Sequence, residues 1–106
     1  MKMIITTTND VAGKEIRELK GFVQGSTVKT KHIGRDIGAS FKTLVGGEIR
    51  GYSDLMREAR DEALGRMIAE AEEKGANAIV SMRYQTAQVM DTAVEVVAYG
   101  TAVVVE

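Results

Sequence analysis

The chain has 106 residues, no cysteine, and 14 Lys and Arg against 15 Asp and Glu. The length is that of one domain, 1–106. The missing thiols exclude disulfides and thiolate metal sites, and the balanced charge argues against a nucleic-acid module relying on a general electrostatic footprint.

No apolar run approaches the ~20 residues of a membrane helix. Met1 to Ile5 has no long apolar stretch and runs straight into Thr-rich sequence, which fits a cytoplasmic protein rather than a secreted one. Met3 to Thr7 is short and β-branched, so it reads as a first strand. Thr8-Asn9-Asp10-Val11-Ala12-Gly13 is turn chemistry. In Glu15 to Lys29 the apolar residues Ile16, Leu19, Phe22, Val23 and Val28 fit neither period well, and Gly21 and Gly25 disfavour a helix interior. The spacing predicts a long strand with a bulge or bend at a glycine. A short helix over Gly13 to Lys20 is the local alternative. Lys31 to Gly51 is glycine-rich, and within it Asp36 to Val45 reads as a short helix capped by Asp36 or Ser40.

The strongest element is a long amphipathic helix over about 53–74. Ser53 is suited to the N-cap, since its hydroxyl can accept from an unpaired N–H of the first turn. Asp54 and Glu58 lie near the positive end of the dipole and Lys74 near the negative end. Leu55, Ala59, Ala63, Met67 and Ala71 recur every four residues. Met56, Leu64 and Ile68 widen that row to a stripe about 100° across, enough to face a sheet. Arg57 with Asp61, Glu62 with Arg66, Arg66 with Glu70 and Glu70 with Lys74 read as i,i+4 pairs on a solvated face. Gly75 stops the helix.

Asn77 to Thr86 then alternates, placing Ala78, Val80, Met82 and Tyr84 on one face of a strand and Ser81, Arg83 and Gln85 on the other. Gln88 to Asp91 turns the chain. Thr92 to Glu106 is a last strand, apolar on both faces. Such a strand must be covered on both sides, and the most economical missing cover is a second copy of the chain. The fold class is α+β: a predominantly antiparallel sheet packed by one long helix, with a short helix before it.

Chemistry is sparse. His32 is the only histidine and sits between Lys31 and Ile33, a setting for an exposed polar residue rather than a ligand. The glycine-rich stretch lacks the glycine-lysine-serine ending of a phosphate loop and the spacing of a dinucleotide fingerprint. Its glycines serve tight turns or close packing between chains. The alternative is that Arg35, with backbone N–H groups around Gly34 and Gly38, holds a small anion. Asp36 beside Arg35 reads as part of an interface salt bridge. Gly34, Arg35, Asp36 and Gly38 are therefore the candidate ligand or interface residues. No residue is assigned a catalytic or metal-binding role, and no motif identifies a cofactor.

Ile4-Thr6-Thr7-Thr8, Ile33-Gly34-Arg35-Asp36-Ile37-Gly38-Ala39, Val45-Gly46-Gly47-Glu48, Gly51-Tyr52, Gly75-Ala76-Asn77-Ala78 and Ala98-Tyr99-Gly100-Thr101-Ala102 together resemble the YbjQ-like family of small prokaryotic proteins. The resemblance spans nearly the whole chain and rests on the order and spacing of these pieces. It implies a compact subunit similar to the dodecin-like β/α arrangement, assembled as a ring-shaped homopentamer. It also implies heavy-metal binding, which sits badly with one His and no Cys, because soft metals take thiolate, thioether or imidazole ligands. Met56, Met67 and Met82 are accounted for by core periodicity. The expected function is an oligomeric, non-enzymatic module with a small ligand or metal between subunits. The alternatives are an enzyme whose site is completed across the interface, and a purely structural or adaptor protein.

Overall fold

The computed structural model describes residues 2–30 and 47–106, with backbone alone over 47–50. Strand β1 is Ile4–Ile5, β2 is Ile16–Thr30, helix α1 is Gly47–Glu73, β3 is Ala78–Met90 and β4 is Ala93–Val105. The strands form one sheet in the order β1-β3-β4-β2. β1 runs parallel to β3, and the β3–β4 and β4–β2 pairs are antiparallel. The architecture is the α+β sheet-and-helix expected from the sequence. The short helix expected over Asp36 to Val45 lies outside the described residues.

The glycine-punctuated segment is a strand and not the alternative helix over Gly13 to Lys20. Its pairing with β4 slips between Leu19 and Gly21, where Gly21 takes φ +106°. A residue with a Cβ rarely adopts that backbone, so the bulge falls where glycine permits it.

Helix α1 begins six residues before the expected cap, which places Ser53 inside the second turn and leaves no N-cap role for it. Glu48, Ile49, Arg50 and Tyr52 tolerate a helix, and Gly51 alone costs only about 1 kcal/mol against alanine, too little to end one. The C-terminus ends as expected. Gly75 has φ +80°, its N–H donates to the Glu72 carbonyl, and the Ala76 N–H donates to the Ala71 carbonyl. These two bonds satisfy carbonyls that the last turn leaves free.

Ala59, Ala63, Met67 and Ala71 are fully buried against Val23, Val96, Ala98 and Ala102. The larger of these, Met67, Val23 and Val96, each contribute about 1.5–3 kcal/mol on burial. The alanine row lets the helix approach β2 so closely that a Cβ on Gly25 would collide with the Ala63 carbonyl oxygen and the Met67 nitrogen.

The alternation expected along β3 breaks in the middle. Ala78 and Val80 pack with Val103 and Val105 in one cluster, whereas Met82 joins the core under the helix. Ser81 takes φ +55°, and the register with β4 slips between Val80 and Arg83. One extra residue there flips the side-chain parity. β3 also runs four residues past Thr86, so the turn shrinks to Asp91 and Thr92. Gln88 and Met90 carry no glycine or proline restraint and simply continue the pairing with Val94 and Ala93.

Candidate functional site

The sheet has two unlike faces. Val94, Val96, Ala98 and Ala102 of β4 face the helix and are buried. On the opposite face, Val103 and Val105 are covered by Ile4 and Val11 of the N-terminal segment. Past that point no described residue covers it. Phe22 is 59% exposed, Val28 55% and Leu19 71%, and Val97 and Tyr99 are half-buried. The Phe22 and Tyr99 rings lie tilted with centroids 6.4 Å apart. Register places Phe22 beside Thr101, Gln24 beside Tyr99 and Ser26 beside Val97 on this face. An apolar strip of this kind on a sheet is the mark of an interaction surface.

A second feature lies on the flank of the helix. Glu58, Glu62, Arg66 and Glu70 form one i,i+4 row. Glu58 and Glu62 both bind the Lys29 ammonium, the former at 3.0 Å. Glu62 also accepts from the Thr27 hydroxyl at 3.0 Å. Arg66 donates to the Ser26 carbonyl at 2.5 Å, and Glu70 accepts from the Gln24 N–H at 3.0 Å. The row rises about 18 Å from Glu58 to Glu70, and β2 spans about 17 Å from Lys29 back to Gln24. The two spacings match, so each side chain meets the strand. The hydrogen bond from Lys29, then that from Thr27, holds the Glu62 carboxyl below the usual carboxylate range. The bonds to Glu62 and Glu58 raise the Lys29 ammonium above the usual lysine range.

The bulge in β3 is held by the N-terminal loop. Ser81 donates its hydroxyl to Asn9 Oδ1 at 2.7 Å and its N–H to the Thr8 carbonyl at 2.9 Å. Arg83 donates to the Thr7 carbonyl at 3.0 Å and the Met82 carbonyl at 2.8 Å. These bonds fix the loop on the strand and leave no converging donor set. A cleft of about 440 Å³ near the helix C-terminus is bordered by Lys2, Glu72 and Asn77. Asn77 spends its amide on both backbone groups of Val105, donating at 2.9 Å and accepting at 2.8 Å. One cation and one anion of opposite sign remain there, which is no recognition set for a charged ligand.

Gly34, Arg35, Asp36 and Gly38 lie outside the described residues, as does His32. Among the described residues no three His, Cys, Asp or Glu side chains group so as to hold a metal ion.

The profile of the YbjQ family, described as "Putative heavy-metal-binding", matches residues 3–106. The chain belongs to the YbjQ family. It is 56% identical over 104 residues to a UPF0145 protein of Clostridioides difficile, covering 98% of this chain and 93% of that one. It is 58% identical over 104 residues to a UPF0145 protein of Halalkalibacterium halodurans, covering 98% of each. Among solved structures it is similar to a protein of unknown function from Pediococcus pentosaceus assigned to the DUF74 family. That match has a TM-score of 0.61 at 21% identity and covers 98% of both chains; it supports the fold alone. Cysteine is absent from the sequence, and the described residues of this YbjQ chain offer no group of three donors that would fit the family's metal description.

Among the described residues no helix is long and apolar enough to cross a membrane. The sequence reading missed the helix–strand row, because four residues at i,i+4 spacing satisfy intrahelical pairing as well as a strand running alongside.

Proposed function

We propose that this YbjQ protein is a non-enzymatic cytoplasmic module that works as a closed homo-oligomer, a ring of five subunits, with a small-ligand site between subunits. The observation that carries this reading is the uncovered apolar face of the sheet. One face of the sheet lies under the helix, and on the other Phe22, Val28 and Leu19 of β2 are exposed beside the half-buried Val97 and Tyr99 of β4. Covering Phe22, Tyr99 and Val28 with a neighbouring subunit removes apolar area from water.

A site shared between subunits leaves a single protomer chemically plain. The test is native mass spectrometry of the purified protein, followed by titration with zinc and copper(I). The reading expects an oligomeric mass and no tight stoichiometric metal site per chain, because soft ligands are missing. A monomeric mass contradicts the assembly, and a sub-micromolar metal site in each chain contradicts the donor argument.

A further inference from the structure

We infer that Arg66 and Glu70 of α1 guard the outer edge of β2: they occupy its backbone hydrogen-bonding groups and so keep another strand from adding there. β2 is the last strand of the described sheet. In an antiparallel pair, every second residue turns its N–H and carbonyl away from the partner strand. On β2 these include Gln24 and Ser26, which are bound from outside the pairing with β4. The Glu70 carboxylate accepts from the Gln24 N–H at 3.0 Å, and the Arg66 guanidinium donates to the Ser26 carbonyl at 2.5 Å. The chemistry is matched group by group: the anion takes the donor and the cation takes the acceptor.

Helix and strand geometry make this possible. Arg66 and Glu70 are four residues apart on α1, a rise of about 6 Å. Gln24 and Ser26 are two residues apart on β2, a span of about 6.8 Å. Between them Gly25 carries no side chain, which lets the Ala63 and Met67 backbone and the Arg66 Cβ come down on the strand. Both long side chains therefore start near the edge and bend over it. On a lone helix Arg66 and Glu70 would pair with each other; here each reaches a separate backbone group of β2.

The strand has reason to need a guard. Phe22-Val23-Gln24-Gly25-Ser26-Thr27-Val28 contains no charge and no proline, and Phe22 and Val28 are exposed within it. Edge strands are ordinarily kept apart by a charge, a proline, a bulge or a covering element, because an open neutral edge is a template for pairing. The bulge of β2 lies at Gly21, before this stretch. Its charges come instead from α1, 40 and 46 positions along the chain. Edge protection is thus tied to the docking of the helix. The guard is the same in a single chain and in an oligomer, so it does not rest on the assembly reading.

The test compares the parent, Arg66→Ala/Glu70→Ala and Asp54→Ala/Arg57→Ala, each as the full chain. Each double variant removes one cation and one anion, so the net charge is unchanged, and alanine is the best helix former. Asp54 and Arg57 form a pair within the same helix at 3.2 Å and serve as the control. Circular dichroism, sedimenting mass and the binding of a β-aggregate dye are followed at equal concentration. Arg66→Ala/Glu70→Ala is expected to start with the parent's circular dichroism and to form dye-binding, higher-mass material about tenfold faster, or more, than the parent and the control. Quenched hydrogen exchange of that material should find the Gln24 and Ser26 amides protected. Equal rates in the two double variants, or Gln24 and Ser26 amides that stay fast in the new material, would overturn the guard. Should Arg66→Ala/Glu70→Ala fail to fold, Glu70→Ala alone decides. A Gln24 amide that exchanges about tenfold faster than in the parent supports the guard, and an unchanged one contradicts it.

Discussion

Gly25 has no room for a side chain. A Cβ there would meet the helix backbone at Ala63 and Met67 and come within 2.7 Å of the Arg66 Cβ. Backbone cannot swing away as a flexible side chain can, so Gly25→Ala forces α1 off the sheet. The expected cost is about 1–3 kcal/mol, typical of overpacking, read as a lower denaturation midpoint at unchanged slope. A midpoint equal to the parent's would show that the helix does not lie this close. Glu62 gives a prediction with a sign. Its native carboxyl is held below the usual carboxylate range by Lys29 and Thr27. The stabilisation is complete above the unfolded value and disappears as the pH falls through the lowered native one. Lys29 is raised, so its share persists below the ordinary lysine range and is lost as the pH rises through the raised value. Acid titration of stability in the parent and in Glu62→Gln should therefore differ by a slope confined to the region at and below ordinary carboxylate titration. Parallel curves there would remove Glu62 from the tie. At this scale the sequence is readable where one residue has one reason to be present. Gly75 has one, the left-handed stop. Gly25 has two, conformational freedom or clearance, and only the packed helix tells them apart.

At the scale of elements, α1 was legible because its apolar row is long and regular, and its sheet-facing residues Ala59, Ala63, Met67 and Ala71 are those that the period-four pattern picks out. Ala63→Pro removes an N–H and drives a ring into the preceding turn, costing about 3 kcal/mol or more. A variant melting with the parent would deny the helix. The start of α1 was not legible, because a capping preference at Ser53 of about 1 kcal/mol competes with continuation through a segment containing no proline. In β3 the pattern misled for a different reason. Alternation assumes one residue per pairing step, and the Ser81 bulge inserts another, so Ala78 and Met82 end on opposite faces. The cause is tertiary: Asn9 and Thr8 bind Ser81 from 72 and 73 positions upstream, beyond any local window. The bulge in β2 was legible because its cause, Gly21, is in the strand itself.

For the whole molecule, the sequence makes β4 apolar on both faces, and in the structure the exposed part of the face opposite the helix is carried by Phe22 and Val28 of the neighbouring β2, beside the half-buried Tyr99. The candidate site at Gly34, Arg35, Asp36 and Gly38 falls outside the described residues, so what the sequence says of it stands on residue types alone. A composition with no thiol and balanced charge excludes chemistries more readily than it identifies one. The central claim is that this YbjQ chain hides its second sheet face in a closed homo-oligomer. Sedimentation equilibrium of the untagged protein at micromolar concentration tests it most directly. A single species at five times the chain mass, stable to dilution across the micromolar range, is the predicted result; a chain that sediments at its monomer mass throughout would contradict it.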